Sequence, residues 1–119
     1  MRPHQKLLAW QESIHLVNDI YQITMSFPES EKFGITSQLR RASVSIACDI
    51  AEGPVRNSNK EFIRFLYISS GSLSEVETLL IISNKLGLLN VQQFDTLINL
   101  SNKISALLQG LIKKLKSKP

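Results

Sequence analysis

Five cations, Arg40, Arg41, Arg56, Lys60 and Arg64, are threaded with Asp49, Glu52, Glu75 and Glu77 through the stretch from Ser37 to Leu80. Guanidinium and ammonium groups at this density either contact phosphate or pair with carboxylates that fix the register of packed helices. A second basic zone, Lys113, Lys114 and Lys116, lies in the closing segment IKKLKSKP. No acid follows Asp95, so the net charge of +4 belongs largely to the end of the chain. Lysines there also complement the negative C-terminal end of a helix dipole, which explains them without a ligand.

Other chemistries are poorly provided for. Glu12 and His15 have the Glu-x-x-His spacing of diiron bundles, but a diiron centre needs a second such pair, and the other histidine, His4, stands near the N-terminus. Cys48 has no histidine in a recognisable relation to it and is expected to be a buried structural thiol. The five glycines are scattered, and Gly53-Pro54 leads into a turn with no Lys-Ser or Lys-Thr pair to cradle phosphate. Neither a metal, nor a cofactor, nor an enzymatic activity is expected.

These side chains must be positioned by helices, because apolar residues recur in alternating steps of three and four. The rows are Leu7, Trp10, Ile14, Val17, Tyr21; then Ile35, Leu39, Ala42, Ile46, Ile50; then Phe62, Leu66, Ser69, Leu73, Val76, Leu80; and finally Phe94, Leu97, Ser101, Ile104, Leu108, Leu111, Leu115. Stop signals at Phe27-Pro28, Gly53-Pro54 and Gly87 predict helices over roughly 6–26, 35–53, 59–87 and 91–116. Short connections make this one all-α domain over 1–119, an up-down-up-down antiparallel four-helix bundle. At 119 residues and 43% apolar content, one core needs no disulfide or metal. The lone cysteine fits a reducing, cytoplasmic setting, and no segment approaches the roughly 18 uncharged apolar residues of a membrane helix.

The first helix carries a second stripe, Leu16, Ile20, Ile23 and Phe27, and the third adds Ile63, Tyr67 and Ile81. This surplus means either a self-association face or a wide core arc. Ser69, Ser70, Gly71 and Ser72 place small residues mid-helix, where glycine costs about 1 kcal/mol against alanine, so close approach of another helix is expected there. An antiparallel hairpin turning near Arg56 sets Asp49 opposite Arg64, Glu52 opposite Lys60, and Arg41 within reach of Glu75. Ion pairs at these positions account for the polar residues more simply than RNA reading does.

The segments FGITSQLRRASVSIACDIAEG and SNKEFIRFLYISSGSLSEVETLL, followed by LGLL, resemble the bacterial four-helix-bundle proteins encoded within intervening sequences of 23S ribosomal RNA genes. The likeness extends over nearly the whole chain and is specific from Phe33 to Leu89. It implies a small cytoplasmic bundle forming a ring-like homopentamer, without enzymatic activity and with a link to RNA. A similar bundle serves diversity-generating retroelements as a basic pentameric factor that binds nucleic acid and a reverse transcriptase. Ala47, Cys48 and Asp49 stand where the family commonly has Pro, Ala and Asn, so the second helix is expected to run straighter.

Two functions compete. In the first, a homo-oligomer displays Arg40, Arg41, Arg56, Lys60, Arg64, Lys113, Lys114 and Lys116 to RNA or another nucleic acid, binding with strong salt dependence. In the second, the assembly is a scaffold for another protein and has no nucleic-acid role.

Overall fold

The computed structural model describes residues 1–118. Four α-helices carry the chain: α1 (Leu8–Thr24), α2 (Ile35–Glu52), α3 (Asn59–Lys85) and α4 (Val91–Lys116). Among the described residues there is no strand. Single 3-10 turns at Pro3–Lys6, Glu29–Glu31 and Gly53–Val55 lead into or link the helices.

Local chemistry explains several of the helix ends. Ser58 accepts the Glu61 amide at the start of α3. Asn90 and Gln93 satisfy each other's backbone amides at the start of α4, a reciprocal capping box. Gly87, at φ 77°, takes the left-handed conformation that ends α3, and the Leu88 amide reaches back to the Ser83 carbonyl at 2.9 Å. Gly53, at the end of α2, has an ordinary helical φ but no room: a Cβ there would stand 2.5 Å from the Phe62 ring.

Each helix packs on its sequence neighbours, and α1 also packs on α4, giving a body of 49 × 23 × 22 Å. The α2·α3 seam is the most extensive. Leu39, Ile46 and Ile50 of α2 meet Leu66, Leu73, Val76 and Leu80 of α3 in one core with Leu97, Ile104 and Leu108 of α4. The expected rows of α2, α3 and α4 point inward, with Phe62, Phe94 and Leu111 partly covered at the margins.

In α1 the inward face differs from the expected row. Ala9, Ser13, Leu16, Ile20, Thr24 and the following Phe27 are buried, whereas Ile14 and Tyr21 are 42% and 40% exposed. The true face was masked because three of its members are small or hydroxylic. Ser13 donates to the Trp10 carbonyl and Thr24 to the Ile20 carbonyl, so both hydroxyls enter the core already satisfied. Leu16 and Ile20 therefore fill the core of the single chain, with Ile23 packed against it, and do not form a separate assembly face.

Two further expectations are corrected. Cys48 is exposed, because the flanking Ala47 and the core residues Ile46 and Ile50 take the inward arc of α2. Gly71 is exposed too, and a Cβ there would meet nothing within 4 Å, so no helix of this chain comes close to it. Ser69 is the buried member of that stretch, and Ser72 is half-buried. By length and composition alone α3 is apolar enough to cross a membrane, although Glu75 and Glu77 interrupt its apolar run. It meets that test because Leu66, Leu73, Val76 and Leu80 face the core while Ile68, Ile81 and Ile82 remain on its outer surface; the core helix of a soluble bundle passes it as readily.

Candidate nucleic-acid interface

Lys60 of the first basic zone meets lysines of the closing segment at one end of the molecule. Packing of α3 on α4 brings the start of α3 beside the end of α4, where Lys60 shares a cleft of about 800 Å³ with Lys116 and Lys118. Asn57, Ser58, Asn59, Ile63 and Leu115 complete its walls. Lys116 also borders an adjoining hollow of about 320 Å³ with Tyr67, Gln109, Ile112 and Lys113. Among the described residues, no carboxylate lies within ion-pair distance of Lys60, Lys113, Lys114, Lys116 or Lys118. Unpaired ammonium groups at this spacing raise the local potential for a polyanion.

The arginines nearby are held differently. Arg56 pairs with Glu52 one turn back, and Arg64 pairs with Glu61 at 3.2 Å. Both guanidiniums also lie against Phe65, at 4.7 and 4.6 Å from its ring centroid. Each is half-exposed, so such pairs contribute little stability and leave donors free. Phe65 thus organises two cations at the turn between α2 and α3.

Arg40 and Arg41 lie in a different place. They line a pocket of about 540 Å³ with Lys32, Phe33 and Tyr21 around the first half of α2. Arg40 is anchored: its Nε donates to Thr24 Oγ1 at 2.9 Å, and its guanidinium lies 4.6 Å from the Tyr21 ring centroid. Arg41 is exposed and has no hydrogen-bond or ion-pair partner among the described residues.

None of the three expected interhelical pairs forms. Arg41 does not meet Glu75, Arg64 turns to Glu61 and not Asp49, and Glu52 takes Arg56 and not Lys60. The α2·α3 register is offset by three positions from the expected hairpin. Ser69 meets Ile46, where the expected hairpin set Leu66. Local i,i+3 and i,i+4 partners were also available, and these cost less chain ordering. Asp49, left without a cation, has its carboxyl pushed above the ordinary 3.8 by burial, with the Glu52 charge adding to the effect. Glu12 pairs with Lys103 at 3.2 Å and His15 is exposed, so the Glu-x-x-His pair is divided between an ion pair and solvent.

Lys118, part of the basic tail, lines the cleft, and Tyr67 lines the adjoining hollow although no pattern in the sequence marked it for one. Tyr67 looked like part of an apolar stripe, yet its hydroxyl accepts from Lys116 Nζ at 2.8 Å across 49 positions of chain. Convergence at that separation leaves no local signature.

Comparison with known proteins adds the lineage. The model of the 23S rRNA-intervening sequence protein family matches residues 5–110. Among solved structures, the chain is similar to a protein of unknown function from the S23 ribosomal protein family of Bacteroides thetaiotaomicron. The identity is 25% and the TM-score 0.80, over 89% of this chain and 99% of that one. No curated protein matches the sequence.

Proposed function

Because the chain belongs to the 23S rRNA-intervening sequence protein family, we propose that it is a non-enzymatic assembly protein that binds RNA through the basic end of its bundle. The observation that carries this reading is the convergence of Lys60, Lys116 and Lys118 on one cleft, with Lys113 beside it. Arg56 and Arg64 extend the same end toward α2. In this reading the helices run up-down-up-down, antiparallel, in a cytoplasmic bundle that closes into a ring-like homopentamer. Symmetry then multiplies a modest patch by the number of subunits.

Exposed apolar residues support the assembly. Ile68, Ile81 and Ile82 stand on the outer surface of α3, each more than 40% exposed, and Gly71 lies between them with open space above it. A second chain packed there would account for a glycine that costs an isolated helix about 1 kcal/mol.

The test combines mass and binding. Light scattering on nuclease-treated protein should give five times the 13.4 kDa subunit, and this mass should persist at high salt. Affinity for labelled RNA should fall steeply between about 50 and about 200 mM salt, as counterion release requires. Failure to bind either structured or single-stranded RNA at low salt removes the RNA role. The same apolar surface of α3 favours a second reading, a scaffold for another protein, which expects a specific protein partner and indifference to RNA.

A further inference from the structure

Tyr67 stands in the basic hollow and is 51% exposed. Lys116 holds it in an unusual way: the ammonium is 2.8 Å from the hydroxyl but 5.3 Å from the ring centroid. A cation above the ring and within reach of the hydroxyl would stand much nearer the centroid, so Lys116 lies beyond the hydroxyl edge and not over a ring face. Tyr21 and Phe65 differ, since guanidiniums approach to within 4.6 and 4.7 Å of their centroids.

We propose that the groove between the start of α3 and the end of α4 binds single-stranded nucleic acid, with one base stacked on Tyr67 and the adjoining phosphates held by Lys60, Lys113, Lys116 and Lys118. This deepens, and rests on, the RNA-binding reading above by naming the strand state and the stacking residue. Bare lysines need only phosphate and accept a duplex as well as a single strand. An exposed ring among them favours unpaired bases, whose π-faces are free to stack. Lys60 and Tyr67 are two turns apart on α3, about 10 Å along its axis, which suits a short run of extended strand. The positive end of α3 and the negative end of α4 face the groove together and offset each other, so the lysines set its potential. The mixed lining fits the same occupant: Ile63 gives the cleft an apolar wall, Ile112 gives one to the hollow of Tyr67, and Asn57, Asn59 and Gln109 offer hydrogen bonds without base preference.

Fluorescence anisotropy on the full chain tests it, using a labelled oligouridylate and an RNA duplex of equal length. The single strand should bind more tightly than the duplex. Tyr67→Leu should weaken single-strand binding about tenfold or more, the loss of one stacked base, and leave the slope of log affinity against log salt unchanged. Tyr67→Phe, which keeps the ring and loses the Lys116 bond, should bind as the parent does. Lys113→Gln with Lys118→Gln should lower the slope instead. Equal duplex and single-strand affinity, or full binding by a Tyr67→Leu protein with an unaltered melting curve, overturns the stacking site while sparing charge-based RNA binding. No binding of either RNA by the parent protein overturns both.

Discussion

Ser69 of α3 donates its hydroxyl to the Ile46 carbonyl of α2 at 2.9 Å, and both residues are fully buried. This bond ties the register of the most extensive helix seam to a particular pair of residues, because a shift of α3 by one position would carry the hydroxyl away from α2. Ile46 O already accepts within its own helix, so removing the hydroxyl strands no acceptor. Ser69→Ala should therefore lower stability by about 1 kcal/mol, the net value of one buried hydrogen bond. Urea denaturation measures it; an unchanged midpoint would mean that the seam is set by apolar packing alone.

That bond also shows what could be read in the sequence and what could not. Rows such as Ile35, Leu39, Ala42, Ile46 and Ile50 announce a helical face directly, since helical period and burial agree there. The face of α1 was obscured because Ser13 and Thr24 look polar while their hydroxyls are spent on backbone carbonyls inside the helix. Side-chain pairing was less legible still. The α2·α3 register is offset by three positions from the expected hairpin, and long flexible side chains such as Arg64 took the nearest carboxylate on their own helix. Meeting of Lys60 with Lys116 depends on how α3 lies against α4, which no local spacing encodes.

Asp49 gives a pH-dependent prediction. Burial, with the Glu52 charge, raises its carboxyl above 3.8, so the folded protein holds this proton more tightly than the unfolded chain does. The sign follows: its contribution is fully present below the ordinary carboxyl value and is lost as pH rises through the raised one. Asp49→Asn, uncharged at every pH, should melt higher than the parent at neutral pH, and the difference should shrink as pH falls below 3.8. Melting curves across that range decide it, and a gap that widens toward low pH would reverse the assignment.

Arg40 and Arg41 are adjacent but differ in stability role. Arg40 bridges α2 to α1 through Thr24 Oγ1 and covers the Tyr21 ring, whereas Arg41 is exposed and touches no acceptor among the described residues. Arg40→Ala should cost about 1 to 2 kcal/mol, as loss of a charged hydrogen bond and a stacked cation implies. Arg40→Lys should recover only part of this, because an ammonium lacks the planar guanidinium's fit to both partners. Arg41→Ala should stay within about 0.5 kcal/mol. Equal losses for Arg40→Ala and Arg41→Ala in chemical denaturation would contradict the division.

Gly71 separates the stability of the chain from its assembly. Nothing lies within 4 Å of the Cβ it lacks, so within one chain any helix-forming residue fits there. Gly71→Ala should raise helix stability by about 1 kcal/mol in a dissociated chain. Gly71→Leu should preserve the helical circular dichroism but reduce the mass seen by light scattering, because its side chain projects between Ile68 and Ile82, where the second chain is proposed to pack. A Gly71→Leu protein that keeps the parent mass would place the subunit contact elsewhere, and the exposed Ile14 of α1 and Met25 just after it would become the next surface to alter.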